Sequence, residues 1–590
     1  MEKVLKLAQT WILPLPGAVF QARRTLVKDI AVFTPRALSF FAGYIMQFID
    51  PTSTDFDAIR RRFRWRVPEY YNMAWEVCDK HGNLRNAPAL FYENADGERK
   101  TFTFGDLFTA SNRLANALHA LGVGRGDRVG IVLPQRFETG LAHLALYKLG
   151  AVAVPLSVLF GSDALEYRLR DSGAKAVISI KPHTEFMLDI KHTLAELRTV
   201  IGCDGGGDCE FHALLEQASD EFTPVQTRAD EPALLIYTSG TTGPPKGAQV
   251  AHRALLGNLP GFELSQNFFP EADDVFWTPA DWAWTGGLLD GLLPCWVYGR
   301  PIVAYESGTR FDPERACSLV EKYRVSNAFV PPTVLKMLRQ VDKLDRFDLR
   351  FRAIMSAGES LGAEVFEWGK DVLGLEINEM WGQTEFNYLV GNCARIMPVV
   401  PGAMGKPYPG HQVEPIDATG SPRTVGEVGE LAARTGDPVM FLGYWNREAA
   451  TREKCVGDWF LTGDLGYRDE NGYLWFVGRK DDVISSAGHR VGPGEIEDCL
   501  LQHEAVAQAA VIGSPDDLRG EIIKAYIVLA KGHRPSTELK KAIQEVVRQR
   551  RSTYEYPREI EFLDEIPMTT TGKVRRVELR KRDLKSKQSS

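Results

Sequence analysis

From about Arg64 onward, short apolar runs alternate with amphipathic stretches along the chain. Residues 128–133 (RVGIVL), after the Gly126/Asp127 turn, predict a buried strand, residues 138–149 a helix, and residues 151–156 (AVAVPL) the next strand. Similar apolar runs recur at 176–180, 233–237, 301–304 and 353–356 without a repeat of fixed period. This alternation predicts an α/β fold. After Arg479 the texture changes, with strands predicted at 507–512 and 522–529, a helix near 536–551, and a basic tail over 573–587 read as a solvated end. The expectation is a large multi-subdomain α/β domain over residues 61–480, joined by a hinge to a small, mobile α+β domain over 481–590.

Residues 1–60 predict a basic, apolar N-terminal extension. Through Ile49 it carries Lys3, Lys6, Arg23, Arg24, Lys28 and Arg36 against only Glu2 and Asp29. Its apolar run over 37–49 is interrupted by Ser39 and Gln47, and about 20 apolar residues are needed to cross a bilayer, so no transmembrane helix is expected. Three readings stay open: an amphipathic arm making peripheral membrane contact through residues 1–49, an acidic-poor targeting segment, or an extension packed on the body. Pro14 and Pro16 break the one stretch with the look of a secretory leader.

Composition narrows the function classes. With 590 residues, 44% hydrophobic and 25% charged, the chain can bury several cores, which excludes disorder and coiled coil as descriptions of the whole. A formal net charge of −7 leaves no bulk basic field for nucleic acid. The eight cysteines form no CxxC pair and no zinc-spaced cluster, so a reducing, cytoplasmic setting is expected, with neither disulfides nor a structural metal.

Two glycine-rich runs invite a phosphate. In residues 204–208 (DGGGD) the two acids would repel an anion and no Lys or Ser/Thr follows to open a helix, so a solvated turn is predicted. Residues 237–247 (YTSGTTGPPKG) are different. They follow an apolar strand, and Gly240 and Gly243 let backbone approach an anion while Thr238, Ser239, Thr241 and Thr242 offer O–H donors and Lys246 adds a charge. A Walker A loop would have Gly before and Ser/Thr after that Lys, whereas Pro245 and Gly247 flank it.

With this loop in place, the chain resembles the acyl-adenylate-forming superfamily of acyl-CoA synthetases, adenylation domains and luciferases. Further motifs carry the resemblance, in the family's order: Ala357, Gly358 and Glu359 (AGE); Trp381, Gly382, Gln383, Thr384 and Glu385 (WGQTE); residues 461–464 (LTGD); 478–482 (GRKDD); 486–495 (SAGHRVGPGE); and 567–573 (PMTTTGK). The resemblance implies an AMP-forming acyl-CoA synthetase using ATP, Mg²⁺ and CoA. A carboxylate oxygen is a poor leaving group until it becomes a phosphoric ester, and joining it to ATP brings anions together, so preorganised positive charge is required. Lys573 is the implied supplier of that charge. The hydroxyl loop with Lys246 would hold the β- and γ-phosphates, Thr384 the α-phosphate, Glu385 the metal, and Asp464 the ribose hydroxyls. Trp381 offers adenine a flat face, and Gly358, Glu359, Gly382, Gln383 and Arg479 complete the implied ATP set.

The resemblance further implies rotation about the hinge residue Asp481 after adenylation, withdrawing Lys573 and bringing Gly488, His489 and Arg490 to the acyl-adenylate. Arg519, Arg548, Tyr556 and Arg558 are candidates for the CoA nucleotide. Lysine acylation at Lys573 would remove the needed charge. Acetyl-CoA synthetases carry a second Trp where Gly382 stands, so Gly382 predicts an open acyl pocket, with Trp284 lining it, and short-branched to medium-chain acids as substrates. The alternatives are an adenylation enzyme loading a separate carrier protein and a non-catalytic nucleotide-binding or membrane-associated protein.

Overall fold

A computed structural model describes residues 47–238, 244–306, 311–486, 489–516, 520–550, 556–569 and 573–588. The roles expected of the N-terminal extension fall almost wholly outside the described residues. Part of it is seated on the body, however. Glu263, buried in the helix Arg253–Ser265, accepts the backbone N–H of Phe48 at 2.7 Å and of Ile49 at 2.8 Å. Ile49 and Phe56 are themselves buried. Among the described residues no helix is long and apolar enough to cross a membrane.

The first large sheet has eight strands, running from edge to edge Gly443–Tyr444, Lys246–Ala251, Pro232–Thr238, Val152–Pro155, Arg128–Val132, Ala176–Ser179, Thr199–Gly202 and Cys209–Glu210. From Pro232–Thr238 through Cys209–Glu210 the neighbours are parallel, which accounts for their continuous apolar sequences: both faces are covered. The helix Phe137–Leu149 is buried nearly all round for the same reason. The 204–208 run is the exposed turn expected, its two acids paired with neighbouring side chains. Asp208 accepts Lys191 and the Val200 N–H, both at 2.7 Å, and Asp204 pairs with Arg136 at 3.1 Å.

The second sheet has fourteen strands, parallel where Phe276–Trp277, Ile302–Glu306, Asn327–Phe329, Ala353–Ala357 and Asn378–Gln383 lie side by side and antiparallel from Phe386–Gly391 onward. Its core is the Val320, Ile354, Phe366 and Ile377 cluster. The third sheet, of five strands, lies within the last hundred or so residues. There Val506–Asp516 pairs with Gly520–Leu529; one face packs on the helices Pro493–Leu500 and Thr537–Arg550, and Leu579 of the final helix Arg576–Gln588 packs with Ala510, Ile512 and Tyr526. The fold class is therefore the predicted one, mixed α/β with a small α+β C-terminal domain. All eight cysteines are free thiols.

Candidate active site

The hydroxyl-rich segment is flanked by two paired strands, Pro232–Thr238 and Lys246–Ala251. Thr238 pairs with Lys246 and Tyr237 with Gly247 across the antiparallel strands. Ser239, Gly240, Thr241, Thr242 and Gly243 lie outside the described residues. At the base, the Thr238 hydroxyl donates to the Lys246 carbonyl at 3.4 Å. The Lys246 ammonium lies 5.2 Å from the centroid of the Tyr444 ring, and the Tyr444 hydroxyl donates to Glu385 Oε1. One contact chain therefore links the loop lysine to the carboxylate of WGQTE.

Glu385 owes its position to a hairpin. Gln383 pairs with Phe386, leaving Thr384 and Glu385 as a two-residue tip between Asn378–Gln383 and Phe386–Gly391. A register shift between Trp381 and Gln383 marks a bulge at Gly382. Here the structure corrects the open-pocket expectation. A Cβ on Gly382 would stand 2.1 Å from the Asn387 carbonyl oxygen and 3.0 Å from that of Phe386, so the space is filled by backbone of the facing strand. Glycine at 382 serves the close approach of two chains. Trp284 is half-buried, edge-on to Phe160 at 5.6 Å between centroids.

Asp464 is buried opposite Arg479 in neighbouring strands. Its Oδ2 accepts Gln383 Nε2 at 2.9 Å and Trp381 Nε1 at 3.2 Å. Arg479 Nη1 comes within 3.0 Å of Oδ1, yet Oδ1 receives no hydrogen bond. The site thus contains a buried acceptor with capacity to spare. Burial pushes this carboxyl above the usual aspartate range, against the opposing pull of Arg479, Gln383, Trp381 and Lys573. Glu359 follows the strand Ala353–Ala357 through Gly358, which sits at φ +99° with open space where a Cβ would be. Thr333 donates to it at 3.2 Å, and burial raises its carboxyl too, opposed by Lys336, Thr333 and Lys573.

Lys573 enters this setting from the small domain. Its backbone closes a turn with Thr569, through Lys573 N–H to Thr569 Oγ1 at 3.0 Å and Thr569 N–H to Lys573 O at 2.7 Å. The residue is exposed to solvent, yet the protein atoms gathered round the ammonium draw it below the usual lysine range, while Glu359, Asp464 and Glu385 pull the other way and Arg479 adds to the depression. Three residues on, Arg576 forks onto Glu497 with two contacts of 2.6 Å. Arg580 holds the Asp482 carboxylate at 2.5 Å and the Asp481 carbonyl at 2.9 Å, bracing the chain at the domain junction.

The CoA candidates are less gathered. Gly488 and Arg519 lie outside the described residues, and His489 and Arg490 are described only as backbone of the strand His489–Val491. Arg548 and Arg558 flank the Tyr556 ring at 5.9 and 5.2 Å, and Arg558 donates to the Tyr556 hydroxyl at 3.2 Å. Sequence reasoning missed Tyr444 and Lys480. Lys480 donates to Glu430 at 2.8 Å and, through its backbone, to the Gly463 carbonyl at 2.8 Å, shaping the turn before Asp464. The aromatic pair directly after Gly443, which sits at φ +136°, was the available signal for Tyr444.

Comparison with known proteins agrees with this arrangement. Residues 79–445 match the family model of the AMP-binding enzymes and residues 495–573 that of the AMP-binding enzyme C-terminal domain. The chain is 33% identical over 583 residues to the mitochondrial acyl-coenzyme A synthetase ACSM3 of Mus musculus, covering 96% of this chain and 97% of that one. It is 36% identical over 516 residues to the acetyl-coenzyme A synthetase of Bacillus subtilis, covering 86% and 89%. Among solved structures, the anthranilate CoA ligase AuaEII in complex with anthranoyl-AMP superposes with a TM-score of 0.80 at 29% identity, covering 88% of this chain and 98% of the other. The chain belongs to the AMP-binding enzyme family and is an AMP-forming acyl-CoA ligase.

Proposed function

We propose that this ligase activates a short-branched to medium-chain carboxylic acid as an acyl-adenylate and passes the acyl group to CoA. The observation that carries the reading is Asp464, whose Oδ2 is held by Gln383 and Trp381 while its buried Oδ1, ion-paired with Arg479 at 3.0 Å, receives no hydrogen bond, with Lys573 in the electrostatic reach of this carboxylate and of Glu359 and Glu385. A ribose hydroxyl can donate to Oδ1. Gln383 and Trp381, by holding the other oxygen of Asp464, fix its orientation toward the sugar.

In the first step the carboxylate oxygen bonds to the α-phosphorus of ATP as the bond to the β-phosphate breaks, and pyrophosphate departs. Lys573 offsets the charge that accumulates there, Thr384 donates to the same phosphate, and the hydroxyl loop with Lys246 retains the β- and γ-phosphates. Glu385 suits Mg²⁺. Its Oε1 accepts the Tyr444 hydroxyl, and a carboxylate fixed in this way can share an ion with the nucleotide's own oxygens. Bound there, the ion would neutralise phosphate charge. In the second step the CoA sulfur, having lost its proton, bonds to the acyl carbon and AMP leaves. The small domain turns about Asp481 between the steps, exchanging Lys573 for Gly488, His489 and Arg490, with Arg519, Arg548, Tyr556 and Arg558 receiving the CoA nucleotide.

Trp284, half-buried and edge-on to Phe160, is the candidate apolar wall for the acid's tail, and the class of acid rests on the resemblance. The free thiols fit a cytoplasmic setting. CoA-dependent AMP release, assayed over acetate and straight, branched and aromatic acids, tests the reading. Preference for acetate over butyrate, hexanoate and isobutyrate overturns the acid class. AMP release that needs a carrier protein in place of CoA overturns the acceptor.

A further inference from the structure

In residues 288–294 (LLDGLLP) one side chain is polar, that of Asp290. It is 2% exposed, and burial pushes its carboxyl well above the ordinary aspartate range. Among the described residues no cation pairs with it. A buried acid without a cation is costly where a leucine would simply pack. Its partner is Asn387, itself buried, whose Nδ2 donates to Asp290 Oδ1.

The two residues come from elements that flank the site. Asp290 lies in a π turn, Leu288–Leu292, set between the helical segments Thr285–Gly287 and Leu293–Val297. Pro294 accounts for the widening. Its ring excludes the carbonyl four residues back, which is that of Asp290, and the Leu293 N–H reaches the Leu288 carbonyl, five residues back. Trp284 stands at the N-cap of this helix. Asn387 belongs to the strand Phe386–Gly391, two residues after Glu385, and its main-chain carbonyl faces the bulge at Gly382. Phe441 N–H holds the Glu385 carbonyl at 3.0 Å and the Tyr444 hydroxyl holds its carboxylate. The Asn387 amide adds a tie of another kind, from the returning strand to the helix that begins at Trp284.

We propose that Asp290 is a positioning residue for Thr384 and Glu385: its bond to Asn387 seats the strand that returns from their tip and makes that hairpin and the helix beginning at Trp284 one rigid frame. This rests on the reading of Glu385 as the carboxylate that meets Mg²⁺.

The test compares Asp290→Ala, Asn387→Ala, the double variant and Asp290→Asn, the last of which keeps an oxygen able to accept the Asn387 amide. Calorimetric titration of the full chain, without acid so that no turnover occurs, gives the affinity for ATP with Mg²⁺ and with the metal chelated. Asp290→Ala should weaken ATP several-fold in the presence of Mg²⁺ and leave metal-free ATP unchanged. Its pyrophosphate exchange should fall roughly tenfold, short of the loss on the order of 10²-fold that a misplacement of about 1 Å brings. Conversion of supplied acyl-AMP and CoA to thioester should keep the wild-type rate. Asn387→Ala should match Asp290→Ala, the double variant should lose no more than either, and Asp290→Asn should stay near wild type. Equal weakening with and without metal, or equal loss in both half-reactions, overturns the proposal, as does an Asp290→Asn no better than Asp290→Ala. If Asp290→Ala fails to fold, Asn387→Ala breaks the same bond from the other side and decides the matter. Glu385→Gln separates the proposal from the reading beneath it. If Glu385→Gln loses the advantage that Mg²⁺ gives ATP and Asp290→Ala keeps it, only the role of Asp290 falls. If Glu385→Gln keeps that advantage, the reading of Glu385 falls.

Discussion

Replacing Gly382 by alanine is a small chemical change with a large expected consequence. The added methyl would stand 2.1 Å from the Asn387 carbonyl oxygen, 2.8 Å from the Asn387 carbonyl carbon and 3.0 Å from the Phe386 oxygen. Ordinary contact begins at 3.4 Å, so the strands must part by the difference between 3.4 and 2.1, about 1.3 Å. All three opposing atoms are main chain, so no side chain can rotate away. Overpacking of this kind costs about 1–3 kcal/mol, which a chain of this size survives. The displaced part is the Thr384 and Glu385 tip, one residue beyond Gln383, and a 1 Å misplacement of reacting groups costs on the order of 10²-fold in rate. Acid-dependent exchange of labelled pyrophosphate into ATP should therefore fall about 10²-fold in Gly382→Ala, with a folded protein by thermal melting. Gly382→Trp should adenylate no acid at all, acetate included. Exchange at the wild-type rate in Gly382→Ala, or a switch to acetate in Gly382→Trp, refutes the reasoning and restores the open pocket.

Lys573→Ala should lower adenylation by roughly 10²-fold or more while supplied acyl-AMP still yields thioester, and equal loss in both half-reactions would remove Lys573 from the first step. Because crowding lowers the Lys573 ammonium from its ordinary 10.5, kcat/KM for pyrophosphate exchange should decline on the alkaline side before an ordinary lysine would titrate, and Lys573→Arg should move that limb upward. An unchanged limb in the arginine variant assigns it to another group. Asp464→Ala should raise the KM for ATP at least about tenfold, the scale of losing hydrogen bonds to a charged acceptor, and an unchanged KM would mean that its open oxygen does not meet the ribose. Quantitative acetylation of Lys573 should suppress adenylation as the alanine variant does, and acetylated enzyme working at the normal rate would end the case for control at this residue.

The sequence was most informative where one local pattern decides the outcome. Apolar runs such as 128–133 and 353–356 became strands, because a strand buried on both faces needs nothing but apolar residues. The motifs of the candidate site were visible because each packs unusual residue types into a few positions. What stayed hidden depends on partners far along the chain. Gly382 has room in the sequence and none in the structure, since only hairpin register brings the Asn387 carbonyl against it. Seating of residues 48 and 49 depends on Glu263, more than two hundred residues away, and no pattern near residue 50 announces it.

The same distinction bears on how the two domains share the work. The turn that carries Lys573 is closed by Thr569 and by the bridge of Met568 with Val574, with Arg575 N–H donating to the Pro567 carbonyl at 2.8 Å. The final helix that follows is tied down in its turn, with Arg576 gripping Glu497 and Arg580 gripping Asp482 and the Asp481 carbonyl. Those contacts lie on the small-domain side of the junction, so they can travel with it. Under the proposed rotation about Asp481, the lysine, the helix and the first residue beyond Asp481 would move as one piece, and a turn at a single residue would suffice to carry a charge into or out of the site. The receiving side is fixed in a different manner. Glu359, Glu385 and Asp464 come from three separate segments, each held by strand pairing or by neighbours such as Tyr444, Gln383 and Trp381. A rigid acceptor cluster and a transferable cation are what a two-step reaction requires when the positive charge must serve the first step and leave before the second.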